Sequence, residues 1–547
     1  MKCPTRWFVL FLAVVAMAVI LRVPKLKLRP MHGDEAIHAV KFGDLLDKGS
    51  YVYDPNEYHG PTLNFFTLIP AWLSGANNVQ EVTDFTCRIV PVFFGVLIVL
   101  LLWLLADGLG KTATILAAVF TAISPAFVFY SRYYIQEMLL VCFTLGIIAC
   151  GYRYLKSRKI IWAVLTGISL SLCHATKETC IIIFASIAVA LILTYLMDRR
   201  QNHNKITSII KPRDGIIVIT VAVIVSALFY SSFFTNPTGA LDSIRTYLTY
   251  FDRGSGNSVH IHPWYYYLKM LIYWQFADGP IWTEAIIIIL AVVGIIATFA
   301  KKVGSANIHL LRFITFYTLI MTVVYSAVRY KTPWCLLGFH HGMILLAGIG
   351  AVAIVRLAPK VLPRLIIVLL LAGTSGHLLW QSYLGNYKYY ADSRNPYVYA
   401  HPTTDVYTVI EQLEELARVH KDGKQMQIHF IFPGCDYWPF PWYLRSFPNI
   451  GYWTEVTDEI TNASVIIASE KLGDQIIEKL DQLRPPGQKE LYMRLFENDI
   501  YLRPQNKLQG YIPFSLWNQL QQYRADQSKK NSSNHNDPEK NKYEPAR

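Results

Sequence analysis

The chain reads as a mainly α, polytopic helical membrane bundle with a small external α/β domain, and three observations predict that class. Its 547 residues are 53% hydrophobic and only 16% charged, with a mean hydropathy of +0.28; one water-soluble core would not use so much apolar material. The apolar residues fall into separate blocks of roughly bilayer-spanning length. Lysine and arginine gather in alternate loops between those blocks.

The first block runs from Trp7 to Val23, and Lys2 and Arg6 ahead of it favour a cytoplasmic N-terminus. It lacks a small-residue cleavage site and continues into Arg22, Pro24 and Lys25, so it reads as a retained anchor and not a cleaved signal peptide. Further blocks lie at 87–106, 112–130, 137–152, 160–176, 179–197, 214–233, 282–300, 312–328, 335–355 and 365–382. Together they give about eleven spans by the ~20-residue criterion, and an odd count puts the C-terminal domain outside the cytoplasm.

The loops agree with that topology. Arg153, Lys156, Arg158 and Lys159 share one expected inner loop, and Arg199, Arg200, Lys205, Lys211 and Arg213 the next. Lys301, Lys302 and Arg312 follow, then Arg356, Lys360 and Arg364. The net charge of +13 is therefore largely a topology signal and a response to anionic lipid. No Arg-rich or zinc-type module accompanies it, so nucleic acid is not an expected partner. Cysteines 3, 87, 142, 150, 173, 180, 335 and 435 are scattered and make neither a zinc spacing nor a disulfide framework.

The domain reading is 1–383 for the membrane unit, 384–510 for an external α/β domain and 511–547 for a tail, disordered from about 525, where Lys, Asn, Ser and Asp dominate. The first outer loop, 24–86, holds Asp34, Glu35, Asp54, Glu57, His59 and Asp84 and is the expected chemical platform. Within it Thr62 to Leu73 is apolar but short, which predicts an interfacial helix. The second outer loop, 234–281, carries Asp252-Arg253-Gly254-Ser255-Gly256 and the run Trp264-Tyr265-Tyr266-Tyr267. Aromatics at that depth read first as an interfacial belt and second as a sugar platform. In the external domain Val406 to His420 has helical spacing, Gln427 to Phe432 and Ala463 to Ala468 read as buried strands, Gln475 to Leu483 as helix, and Leu491 to Leu502 as further strand.

Asp34 and Glu35, in His32-Gly33-Asp34-Glu35, follow directly on the first span, where an ionised carboxylate needs water, a cation or a partner. Glu137 is a second acid, after Ser131-Arg132-Tyr133-Tyr134-Ile135-Gln136. Their bland readings are a solvated helix-start charge and a pair with Arg132. Arg88, Arg132, Lys177, Arg329 and Lys331 run against the inside-positive trend at outer span ends, a placement suited to a phosphate at headgroup depth. Their bland reading is snorkelling or local pairing, Lys177 with Glu178 for instance. His340 and His341 lie deeper and read as hydrogen-bonded bundle residues. There is no Walker loop, dinucleotide fingerprint or HExxH motif, so an activated substrate has to arrive with the lipid.

The ordered set Asp34-Glu35-Ala36-Ile37-His38-Ala39, Lys48-Gly49-Ser50-Tyr51, Tyr58-His59-Gly60-Pro61-Thr62-Leu63, Ser131-Arg132 and Glu137 resembles the polytopic GT-C glycosyltransferases, especially the protein O-mannosyltransferase and lipid A aminoarabinose transferase group. The chain departs from that group at His59-Gly60-Pro61-Thr62-Leu63, where members often have Lys-Pro-Pro-Leu, and at Glu137, where many have Asp. Lys331-Thr332-Pro333-Trp334 and Trp438-Pro439-Phe440-Pro441-Trp442-Tyr443-Leu444-Arg445 look more like a prokaryotic branch described as flippase-activity-associated.

The resemblance implies transfer of a sugar from a polyprenyl-phosphate donor, with inversion, to a protein, glycan or lipid acceptor outside the cytoplasm. Asp34 would deprotonate the acceptor, with Glu35 or Glu137 setting its geometry or holding a cation. Arg132, Lys177, Arg329 and Lys331 would hold the donor phosphate, and His59 and Arg88 would make other substrate contacts. A divalent metal ion is compatible with the acids but is not fixed by their spacing. The rival is a non-catalytic lipid-linked-sugar transporter or flippase accessory protein using the same cations.

Overall fold

The computed structural model describes residues 6–55, 59–201, 211–253, 260–483 and 490–535. Lys2, Cys3, Glu57, Tyr58, Lys205, Gly254-Ser255-Gly256 and the chain beyond His535 lie outside the described residues. Two compact units emerge, Met1–Arg29 with His38–Tyr399, and Pro30–Ile37 with Ala400–Arg547. The division thus falls at Tyr399 and not at residue 383, and the short segment bearing Asp34 and Glu35 groups with the second unit.

The first unit is helical and multi-pass. Seven described helices are long and apolar enough to cross a membrane, or eight if Lys111–Ile123 and Pro125–Ser131, bent by 59°, form one span. The expected eleven also counted Arg6–Arg22, Ile160–His174 and Ala285–Phe299, which have 17, 15 and 15 residues. A 15-residue helix is about 22 Å long against a hydrocarbon core of about 30 Å. Hydropathy blocks include apolar flanks that the folded chain does not keep helical, so the count falls, and the parity argument for the C-terminus loses its basis.

The bend sits at Ser124-Pro125. Pro125 cannot donate to the helix before it, and Ser124 Oγ instead starts the next one by accepting from the Phe127 N–H at 3.4 Å. The same hydroxyl donates to Glu284 Oε2 at 2.6 Å. Glu284, fully buried, also receives the Ala126 N–H at 3.0 Å and the Tyr397 hydroxyl at 2.7 Å, with His340 Nε2 at 3.0 Å. His340 is therefore a hydrogen-bonded bundle residue, as its sequence position suggests.

Small residues let the bundle close. A Cβ on Gly350 would stand 1.9 Å from the Leu290 carbonyl oxygen, and one on Gly294 would stand 2.1 Å from that of Leu346. Helices Ala285–Phe299 and Leu337–Leu357 thus touch backbone to backbone, the packing that replaces the hydrophobic effect in lipid. Thr62–Leu73 is a 12-residue helix with the bounds its composition predicts.

The second unit is a mixed sheet between helices. Strands β1 (Ile428–Ile431), β2 (Ile450–Trp453), β3 (Val465–Ser469), β4 (Tyr492–Arg494), β5 (Ile500–Arg503) and β6 (Asn506–Pro513) form one six-stranded sheet. Its order is β2-β1-β3-β6-β4, with β5 also on β6; β1 runs parallel to β2 and β3, and β6 is antiparallel to its neighbours. Alternation along β3 sends Val465 and Ile467 into a core with helices Asp405–Val419 and Phe514–His535, and Ile466 and Ala468 into a second core with Gly473–Leu483.

Four of these elements match the sequence reading within two residues: helix Asp405–Val419, β1, β3 and helix Gly473–Leu483. The expected tail does not start at 511. β6 pairs Tyr511 with Ile466, and Leu516 and Leu520 are buried in the core, so this stretch belongs to the folded unit, and its helix continues to His535.

Gly350→Val should prise the two close-packed helices apart and lower thermal stability, an overpacking cost of about 1–3 kcal/mol. Gly373→Val, where a Cβ meets nothing within 4 Å, should leave it nearly unchanged. Thermal unfolding of the two detergent-solubilised variants checks this, and equal midpoints would show that the contact does not hold the pair.

Candidate active site

The helical unit gathers an acid and base cluster from four stretches of chain. Glu137 is the first residue of helix Glu137–Ser157, and its carboxylate pairs with the Lys177 ammonium, both buried. Glu178 finds two partners in the first outer loop. Its Oε2 lies 2.7 Å from His59 Nδ1, and its Oε1 accepts from the Tyr53 hydroxyl at 3.2 Å. An ionised carboxylate only accepts, so the His59 proton sits on Nδ1. Burial works against the charge on Glu178, but the His59 contacts, together with a backbone hydrogen bond and the Lys177 charge, outweigh it and hold its pKa below the ordinary glutamate value.

His59 is brought there by a close backbone approach. A Cβ on Gly60 would stand 2.2 Å from the Ala175 carbonyl oxygen, so only glycine fits. The Thr62 N–H donates to that same oxygen at 3.2 Å, and the Thr62 and Thr176 hydroxyls meet at 2.8 Å. His-Gly-Pro-Thr at 59–62 is therefore a docking edge for residues 174–178. The side chain of His59 stays about a third exposed, at 32%. The His38 ring lies 6.1 Å from the His59 ring, and Gln136 Nε2 approaches His38 Nε2 at 3.2 Å.

The arginines at the outer span ends are held by backbone carbonyls. Arg132 Nη1 donates to the Arg22 and Pro24 oxygens at 2.8 and 2.7 Å, Nη2 to Lys25 at 3.0 Å, and the guanidinium lies over the Tyr387 ring. Burial, together with the charges of Arg29 and Arg88, lowers its pKa to about 10. Arg88 Nη1 donates to the Leu26 and Arg29 oxygens at 2.7 and 2.8 Å. Both arginines therefore fasten residues 22–29 to the bundle.

Lys331 is buried, and its ammonium donates to the Val328 oxygen and to that of His262 at 3.4 Å, using two of its three hydrogens; burial lowers its pKa. Arg329 is exposed. The expected cation set is thus divided: Lys177 stands in the acid and base cluster, while Arg88, Arg132 and Lys331 answer main-chain oxygens.

The second unit holds the acid pair, and its two members differ. Helix Gly33–Lys48 opens with both in its first turn. Glu35 Oε2 accepts from the His32 N–H at 3.0 Å, while His32 Nδ1 accepts from the Asp34 N–H at 3.0 Å. This reciprocal cap uses the buried Glu35 carboxylate to start the helix. The Asp34 carboxyl remains 47% exposed. The Met31 N–H donates to the Tyr443 hydroxyl at 2.8 Å, so one residue of the Trp438-to-Arg445 motif docks the acid-pair segment.

Sequence reasoning missed Glu178, Tyr53, His38 and Gln136. Glu178 was absorbed into a pair with its neighbour Lys177, and Gln136 carries no charge to notice. Among the described residues no three His, Cys, Asp or Glu side chains converge to hold a metal ion.

Residues 66–235 match the family model described as dolichyl-phosphate-mannose-protein mannosyltransferase. That stretch includes Arg88, Arg132, Glu137, Lys177 and Glu178 and excludes Asp34 and His59. No curated protein sequence matches the chain. Among solved structures, ArnT from Cupriavidus metallidurans bound to undecaprenyl phosphate aligns with a TM-score of 0.57 at 14% identity, over 93% of this chain and 98% of that one. The archaeal oligosaccharyltransferase AglB from Archaeoglobus fulgidus, in complex with an inhibitory peptide and a dolichol-phosphate, aligns with a TM-score of 0.52 at 12% identity, over 86% of this chain and 70% of that one. The likeness to both is one of fold.

Glu178→Gln should destabilise the protein at neutral pH by about 1–3 kcal/mol, since the amide no longer answers His59 with a charge. Because the folded pKa of Glu178 is depressed, its contribution is fully present above the ordinary glutamate value of 4.5 and is lost as pH falls below that through the folded value. The difference in unfolding midpoint between wild type and Glu178→Gln should therefore shrink in acid. A difference that grows there would contradict the pairing.

Proposed function

We propose that the protein is a membrane glycosyltransferase that moves a sugar from a polyprenyl-phosphate donor to an extracytoplasmic acceptor with inversion. The observation that carries this is the mannosyltransferase match over 66–235, which contains the Glu137–Lys177 pair and Glu178, on a fold shared with two proteins solved with a polyprenyl phosphate bound. The asymmetry of the basic loops supports a cytoplasmic N-terminus and an external acid pair.

In this reading the acceptor hydroxyl or amide gives its proton to Asp34, whose carboxyl is exposed and not committed to the helix cap. The acceptor atom attacks the anomeric carbon as the bond from that carbon to the phosphate oxygen breaks, and polyprenyl phosphate leaves with the electron pair. Lys177, Lys331 and Arg329 meet the charge that develops on the phosphate. Glu137 holds the Lys177 ammonium in place until the donor arrives. His59, fixed by Glu178, offers a hydrogen-bonding ring in the position where relatives often carry lysine. Arg132 and Arg88 position residues 22–29 and act on the donor only through that chain.

Release of polyprenyl phosphate from a lipid-linked sugar by the purified protein tests the class. An intact lipid–sugar bond, with the lipid still bound, would favour a transporter or accessory protein. Asp34→Asn should lower turnover by about 10²–10⁴-fold while donor binding persists, because the amide keeps the shape and cannot take the proton. Near-normal transfer by a folded Asp34→Asn preparation would remove Asp34 from that role.

Lys331→Ala should weaken polyprenyl-phosphate binding, and Lys331→Arg should restore part of it, since charge survives while geometry changes. A direct binding assay decides between phosphate contact and a purely structural tie to Val328 and His262. Unchanged affinity in Lys331→Ala leaves only the tie.

A further inference from the structure

The other end of the helical unit contains a second charged site that the transfer reaction does not use. Helix Glu137–Ser157 starts at the acid and base cluster and has 21 residues, so its far end lies about 30 Å away. There Arg153 Nη1 reaches Asp107 at 2.9 Å, and Lys156 pairs with the same carboxylate. Beside them is a cavity of about 430 Å³, lined by Lys111, Lys302 and Arg356 together with Asp107, Trp7 and Val352.

The charge balance of this cavity is one-sided. Asp107 is already matched by two cations from outside the lining. Among the described residues, Lys111, Lys302 and Arg356 have no carboxylate within ion-pair distance, and all three side chains are exposed. Three cations around one cavity whose lining acid, Asp107, is already matched repel one another, and an anion between them removes that repulsion. Lys111 also opens the 13-residue helix Lys111–Ile123, whose first N–H groups have no side-chain cap, which adds donors of the same sign.

We propose that this cavity binds the phosphate of an anionic phospholipid headgroup from the leaflet opposite the transfer site. Lys111 and Lys302 supply point charges and Arg356 a planar fork suited to a phosphodiester. Trp7 and Val352 form an apolar flank on the same cavity, which suits the glycerol and upper acyl region of a lipid and has no use to a free inorganic anion. Basic pockets between membrane helices are a recurrent way to hold such headgroups.

The test uses the full chain in phosphatidylcholine nanodiscs with and without phosphatidylglycerol, followed by gentle extraction and native mass spectrometry. The wild type should retain a phosphatidylglycerol molecule that a Lys111→Gln, Lys302→Gln, Arg356→Gln triple variant loses, with each removed charge weakening retention about fivefold. Lys360→Gln, an exposed charge outside the cavity, should behave as wild type and separates the site from general attraction to a basic surface. The single variants keep the result readable if the triple variant fails to fold. Equal retention by wild type and by folded charge variants would overturn the proposal. A parallel thermal titration with inorganic phosphate separates the sources: stabilisation by phosphate with no lipid retained would overturn the lipid assignment.

Discussion

An unanswered charge buried among membrane helices costs several kcal/mol, and the helical unit is arranged around that constraint. Its acids meet bases or converging donors: Glu137 with Lys177, Glu178 with His59 and Tyr53, and Glu284 with Ser124, Ala126, Tyr397 and His340. Three of its buried arginines meet main-chain oxygens. Arg22 reaches Thr121 and Ala122 at 2.9 Å each, and Arg88 and Arg132 fasten residues 22–29. Each of these contacts spans a long stretch of sequence, so satisfying the charges also fixes which helices lie together.

The dipeptide Lys177-Glu178 shows how this builds a site. In solution the two would neutralise each other at little gain. Here they sit between Ile160–His174 and Cys180–Gln201, and the backbone sends their side chains to different partners. Lys177 fixes the start of the Glu137 helix, and Glu178 fixes the His59 edge, which Gly60 allows to touch Ala175. Two adjacent residues therefore lock two distant loops at the bundle end, and a preorganised polar cluster follows from the demand that buried charges be paired.

Much of the fold was legible because it rests on periodicity. The apolar blocks gave the multi-pass class, and the short apolar runs at 427–432 and 463–468 gave two buried strands of the sheet. What hydropathy could not give was helix length, since apolar turns extend a block without extending a helix; Ile160–His174 and Ala285–Phe299 were overcounted for that reason. β6 was missed because Asn506, Lys507 and Gln509 mask its pattern; a strand that bonds on both edges is fixed by its neighbours more than by its own composition. At the site, residue type identified the charged candidates. Pairing did not follow, because Glu178 with His59 and Lys177 with Glu137 are contacts between residues 119 and 40 positions apart.

The acid pair carries the same lesson to a single helical turn. Asp34 and Glu35 are chemically near-equivalent, and the sequence offers them as a pair. The third helical position points a carboxylate back at the N-cap N–H, and Glu has the reach to close that cap, so Glu35 is drawn into starting the helix while Asp34, one residue earlier, keeps its carboxyl toward water. The cap orders the turn that carries Asp34. The two carboxylates thus part ways within one turn of helix, with Glu35 supplying the order and Asp34 keeping an accessible carboxyl.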